Sequence, residues 1–248
     1  MNKRLVTKVL FIAMMLVCWC VSAQHHADSA AIVINNYLKN LGHDALNWQT
    51  VDLTSTITFS NSTDTLLMER RFAFPEYSYV KVSRHGKILF GLYSDGNEFL
   101  RYDTARLSWD VSSESEYLLQ LAGYDPRGPL WNWENMSIEA QYRGISYMEG
   151  NPVCRVAVRD PLRGLREYLF ELPSGNLFLT VEQQPADPQA PHVDWRAIHE
   201  YTPVGDFLFP TLESYQSQGT ITIIATRVEL MPFKKSDFKR PPTIHEYY

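Results

Sequence analysis

Cysteine is close to absent from this chain, with three in 248 residues. Two of them, Cys18 and Cys20, fall inside an N-terminal leader. The remaining Cys154 cannot form an intramolecular disulfide by itself, which excludes a disulfide-stapled mini-domain. In the strand-like run Val153–Val158 it reads as a small buried hydrophobe rather than a nucleophile. Basic charge is also short. Without the leader, 20 basic side chains stand against 28 acidic ones, a net charge of −8. That balance argues against nucleic acid and against tight adhesion to anionic lipid surfaces. Past the leader no apolar run is long enough to span a bilayer. Catalytic signatures are missing too: there is no H-E-x-x-H, G-x-S-x-G or G-x-G-x-x-G, and no phosphate-cradling glycine loop. The nearest approach to a metal set is His192, Asp194 and His199, and strand alternation puts Asp194 and His199 on opposite faces. The pairs Glu114/Glu116 and Glu167/Glu171 fall at exposed periodicities, as solvated charge does. The expectation is a protein that is not an enzyme, with no cofactor, no metal and no nucleic-acid partner.

What is present begins with Lys3, Arg4 and Lys8, the apolar run Val9–Val21, and small residues at Val21-Ser22-Ala23. This is the pattern of a secretory signal peptide over residues 1–23, cleaved near Ala23/Gln24, followed by one domain over 24–248. Val17 and Trp19 precede the two leader cysteines, where lipoprotein processing needs a small residue. A soluble exported protein is the expectation.

Ala30, Ile34, Tyr37, Leu38 and Leu41 share one helical face, and Gly42 closes that helix. From Val51 the period changes to two. Leu53, Ile57 and Phe59 alternate with threonine and serine, and Leu66, Met68, Phe72 and Phe74 form a second alternation. Three strands joined by His85-Gly86 and Asp95-Gly96 then run from Tyr77 to Tyr102. The middle one is apolar on both faces, with Ile88, Phe90 and Leu92 on one and Leu89 and Tyr93 on the other. Such a strand needs cover on both sides, or a partner other than water. Two short aromatic helices are expected next. Ser113 and Glu116 form a capping box ahead of Tyr117, Leu118 and Leu121; Asp125-Pro126 opens a second turn of helix leading to Leu130, Trp131 and Trp133. Strands resume at Ser137, with a loop at Pro185–Pro191. About eleven strands with short connections predict a mainly β protein, a strongly curved antiparallel sheet or open half-barrel with an α lid.

Five segments, in order, resemble the periplasmic lipoprotein carriers of the LolA/LolB type. They are Phe74-Pro75 with Val80-Lys81-Val82; Ser94-Asp95-Gly96-Asn97-Glu98-Phe99 running to Tyr102-Asp103; Gly175-Asn176-Leu177 running to Val181-Glu182-Gln183; Glu200-Tyr201-Thr202-Pro203-Val204-Gly205 with Phe209-Pro210; and Asp237-Phe238-Lys239-Arg240-Pro241. The resemblance implies a half-barrel that binds the acyl chains of lipoproteins or other lipids. It implies a chaperone role between an inner-membrane donor complex and an outer-membrane acceptor, with only transient membrane contact. Lipid-sensing envelope regulators share the fold, so a sensor or adaptor is the alternative, and a secreted hydrolase a remoter one. Candidate cavity and lid residues are Met68, Phe72, Phe74, Phe90, Leu92, Tyr117, Leu118, Leu121, Trp131 and Trp133. Met136 and Met148 would add adaptability. One departure is visible: the family's carriers place an arginine just before the first strand's proline to hold the lid shut, and this chain has Phe74, which donates no hydrogen bond.

Overall fold

A computed structural model describes residues 29–42, 49–131, 133–135, 138–160, 164–172, 174–182 and 194–241. The leader with its cleavage site, Met136, the 185–191 loop and His192 lie outside the described residues. Helix α1 covers residues 29–41. Its expected face is the buried one: Ala30, Ile34, Tyr37 and Leu41 are all enclosed, and Gly42 takes the left-handed conformation (φ 71°) that ends the helix.

The strands are β1 (Gln49–Phe59), β2 (Ser62–Ala73), β3 (Tyr77–Arg84), β4 (Lys87–Asp95), β5 (Phe99–Asp103), β6 (Ser108–Val111), β7 (Glu139–Met148), β8 (Asn151–Asp160), β9 (Gly164–Glu171), β10 (Leu177–Glu182), β11 (Asp194–Val204), β12 (Phe207–Ser217) and β13 (Thr220–Pro232). They form one curved, open, antiparallel sheet in the order β6-β5-β4-β3-β2-β1-β13-β12-β11-β10-β9-β8-β7. The mainly β class is as expected, but the strands number thirteen rather than eleven. β6 is four residues long, too short for alternation to declare it.

This order dictates the rest of the architecture. Two meanders, β1–β6 and β7–β13, join where β1 pairs with β13, and the free edges are β6 and β7. Those two edges are consecutive in the chain. The segment 112–138 therefore has to travel from one rim of the curved sheet to the other, which lays it across the open side. A lid is a consequence of the connectivity.

Helix α2 (Glu114–Leu121) begins that segment, and the Ser113 hydroxyl accepts from the Glu116 N–H at 3.3 Å, as the capping box requires. The second helix at Asp125 does not form. Asp125 spends its carboxylate on Arg127 instead, accepting from its backbone N–H at 2.9 Å and from its guanidinium at 2.7–3.2 Å. Gly128 (φ 88°) then turns the chain, and the only helical stretch left among the described residues there is a single 3-10 turn, Trp133–Asn135.

The doubly apolar strand β4 is covered on both sides by the chain itself. Leu92 packs inward with Val51, Phe72, Phe74, Val80, Tyr117 and Phe209. Tyr93 packs outward with Leu100 and Trp109, partly roofed by a C-terminal strap whose Phe238 carbonyl lies 3.5 Å from the Tyr93 hydroxyl. Gly91 makes room for this: a Cβ there would lie 2.4 Å from the Trp109 ring. Arg71 anchors the strap, holding Asp52 with two bonds (2.5 and 2.7 Å) and donating to the Asp237 carbonyl at 2.8 Å.

Candidate functional site

Between the concave face and its cover lies a void of about 420 Å³, within the range of small-molecule and lipid pockets. Helix α1 contributes Tyr37 and Leu41, the lid contributes Leu119 to Pro129, and the floor comes from β1, β2 and β9–β12. Its apolar wall includes Leu41, Leu53, Leu177, Ile198 and Phe209. Its polar wall is cationic on balance. Arg70, Arg166 and Arg196 face it together with Glu182, Glu213 and Asp125, and Asp125 is already held by Arg127.

The strand register places these charges. Arg166 sits directly opposite Glu182 on the β9–β10 ladder, and the two form an ion pair. Arg196 on β11 reaches Glu213 on β12, with Nε 3.0 Å from the carboxylate. Glu213 is nearly inaccessible at 5%, whereas Arg196 keeps 40% of its side-chain surface, which is surface turned toward the void. The Glu213 charge holds the Arg196 pKa above its ordinary value. Arg70 on β2 has no carboxylate partner of its own. Nη2 donates to the Ser55 hydroxyl at 3.1 Å and Nη1 reaches the Tyr124 carbonyl of the lid at 3.4 Å. Burial lowers its pKa to about 10, opposed by the Glu213 charge. The Nε atoms of Arg70 and Arg166 are buried without any acceptor. Burial also raises the Tyr37 phenol to about 12, so it is neutral at physiological pH.

None of the candidates named from sequence lines this void. Phe72, Phe74, Leu92 and Tyr117 pack against one another in a filled cluster beside it, with Phe90 and Leu121 against them, and Met68 sits in a neighbouring cluster with Ile57 and Val82. Trp131 and Trp133 border a shallow cleft against Asn35, Leu38 and Lys39 of α1. Leu118 is 50% exposed, because it stands one position round α2 from the inward-facing Tyr117. Of the lining, Tyr37, Leu41 and Leu53 fall on faces whose apolar pattern is plain in the sequence, whereas the charged residues do not declare themselves. Arg166 and Arg196 read as ordinary exposed charges, and only the strand order brings them under the lid.

The lid is tied to β2–β5 by a handful of contacts. The Tyr117 and Ser78 hydroxyls share a hydrogen bond, Tyr117 packs on Phe99 (5.1 Å between ring centres), and Tyr124 stacks on Phe90 (5.1 Å). On the other side, Trp133 Nε1 donates to Asn35 of α1 at 3.2 Å.

Neither a protein-family model nor a curated protein matches the sequence. Solved structures do match. A LolA superfamily protein from Nitrosomonas europaea superposes with a TM-score of 0.59 at 8% identity, covering 85% of this chain and 97% of that one. A putative outer membrane lipoprotein-sorting protein domain from Vibrio parahaemolyticus gives 0.54 at 11% identity, over 83% and 97%. A DUF1329 family protein from Desulfovibrio piger gives 0.54 at 9% identity, over 85% and 99%. This chain has the LolA-like fold.

Within that fold, the departure at Phe74 acquires a structural meaning. Its ring receives the Arg127 guanidinium from the lid at 3.8 Å, and Arg127 also lies 4.6 Å from the Trp131 ring. The cation is on the lid and the acceptor on the strand, an electrostatic contact that needs no hydrogen bond from position 74. Arg70, four residues back along the same strand, supplies the hydrogen bond to a lid carbonyl.

Proposed function

We propose that this LolA-like protein is an exported, periplasmic, non-enzymatic carrier that takes up the acyl chain of a lipoprotein or another lipid and moves it toward the outer membrane. The observation that carries this reading is the void of about 420 Å³ between the concave face and the lid segment. Acyl burial supplies the driving force, at about 0.8 kcal/mol per methylene removed from water. A wall of Leu41, Leu53, Leu177, Ile198 and Phe209 offers the required surface. The aromatic cluster of Phe72, Phe74, Phe90, Leu92 and Tyr117 extends this capacity: lifting α2 uncovers it next to the void, and a longer chain occupies the space that Tyr117 and Leu121 vacate. The signal-peptide pattern of residues 1–23 and the likeness to a putative lipoprotein-sorting domain support the periplasmic setting. Among the described residues, no group of three or more His, Cys, Asp and Glu side chains is placed to hold a metal ion.

The test is lipid exchange on the signal-processed chain. Native mass spectrometry of protein prepared from periplasm should show acyl-bearing adducts. After delipidation, the chain should bind a synthetic acylated lipopeptide saturably at one equivalent. A chain that carries nothing and ignores added lipopeptide contradicts the proposal.

A further inference from the structure

The void is not uniformly apolar, and its polar part is unbalanced in a way packing does not require. Three guanidiniums face it, and the carboxylates available to them are Glu182 and Glu213, since Asp125 is engaged by Arg127. Arg70 is the unmatched cation. It is enclosed between β1, β2 and the lid, its contacts are the neutral Ser55 hydroxyl and one carbonyl, and its Nε has no acceptor. The Nε of Arg166 is likewise buried and unsatisfied. A buried donor left unpaired is costly, and a buried charge without a counter-ion more so. Such a group calls for a partner, and a water, an ion or a ligand can supply it. The void is also bordered by uncharged polar side chains, among them Gln120, whose Oε1 is a buried acceptor without a donor, and none of these supplies a counter-charge to Arg70.

We infer that the cargo is an anionic amphiphile: its tail lies along Leu53, Ile198 and Phe209, and its single carboxylate or phosphate is received by Arg70, the guanidinium on the void that has no carboxylate partner. This deepens the carrier reading and rests on it. The anion neutralises the Arg70 guanidinium that faces the void, through charge-assisted bonds that are stronger than neutral ones. A carboxylate suits a free fatty acid and a phosphate a lipid headgroup; both are anions carrying at least two acceptor oxygens on an apolar tail.

The experiment compares three ligands of equal tail length on the delipidated chain by calorimetry: a long-chain fatty acid, the matching alkyl phosphate, and the matching fatty alcohol. With the carboxyl ionised, at least one anion should bind about tenfold or more tightly than the alcohol, as a charge-assisted bond implies. The tighter of the two anions identifies the headgroup. Arg70→Gln should remove most of that preference, measured as the ratio of anion to alcohol affinity within the same variant, and Arg70→Lys should keep part of it. Equal affinity for acid, phosphate and alcohol in the unsubstituted chain overturns the inference without touching the carrier reading, and does so whether or not the variants fold. Binding of none of the three overturns the inference, and the carrier reading then stands or falls on the lipopeptide test. Inorganic phosphate is expected not to compete; displacement of the amphiphile by phosphate alone would mean a free-anion site and overturn the assignment.

Discussion

At the scale of single residues, the charges of this protein divide into those that tether and those that wait. Arg71 and Arg240 tether. Arg240 grips Glu98 in the β4–β5 turn with two bonds, at 2.5 and 2.9 Å, while Arg71 holds the strap one element away. The Arg240 hydrogen bond holds the Glu98 carboxyl below its ordinary pKa. A carboxylate depressed in the folded state contributes stability above its unfolded pKa and loses it as pH falls through the folded value. Acidification into that range should therefore loosen the strap over residues 233–241, seen as faster amide exchange there ahead of global unfolding. Glu98→Gln should show the same fast exchange already at neutral pH, with no more than about 1 kcal/mol lost overall, because the pair is partly exposed. An unchanged exchange profile in the variant would deny the tether. Arg70 belongs to the other class, and it looked unremarkable in sequence. Nothing in the alternation of β2 reveals that its guanidinium is enclosed without a carboxylate partner.

At the scale of elements, the lid is the part whose behaviour decides function. Its grip on the sheet relies on Arg127 over Phe74, Tyr124 on Phe90 and the Tyr117–Ser78 hydrogen bond. A partly enclosed cation–π contact is worth about 0.5–2 kcal/mol. Arg127→Gln is expected to raise amide exchange across residues 114–131 several-fold and to speed lipid uptake, leaving the exchange of β8–β12 unchanged. No change in either would remove Arg127 from the latch. The first lid helix was legible because Ser113, Glu116 and Tyr117 announce it locally. The second was misread for a physical reason: aspartate before proline is as good a turn-former as a helix cap. Here Arg127 two residues on captures the carboxylate and Gly128 reverses the chain. Strand β4 shows the same limit from another side. Its two apolar faces were evident, but that Trp109 from the short β6 would fill the notch at Gly91 depends on pairing at long range.

At the scale of the whole molecule, strand order does what local pattern cannot. Alternation and turn residues marked most strands one by one, and five ordered segments pointed to the LolA-like fold that the solved structures bear out. What the alternation left open was the pairing of β1 with β13, which makes β6 and β7 the rims and stretches the connecting segment over the mouth. The same order decides which inward-facing positions pack and which surround empty space. Phe72, Phe74 and Leu92 pack under α2; Leu53 and Phe209 belong to the same cluster and, with Ile198, also border the void. The central claim is that an acyl chain occupies this interior space. Its most direct measurement is photo-crosslinking of a diazirine-bearing acyl chain to the full processed protein, with the labelled residues mapped by mass spectrometry. Labels should fall on Leu41, Leu53, Ile198 and Phe209, and be lost when unlabelled lipid competes. Labels confined to the convex face, at Tyr79 and Trp109, or insensitive to competition, would contradict the account.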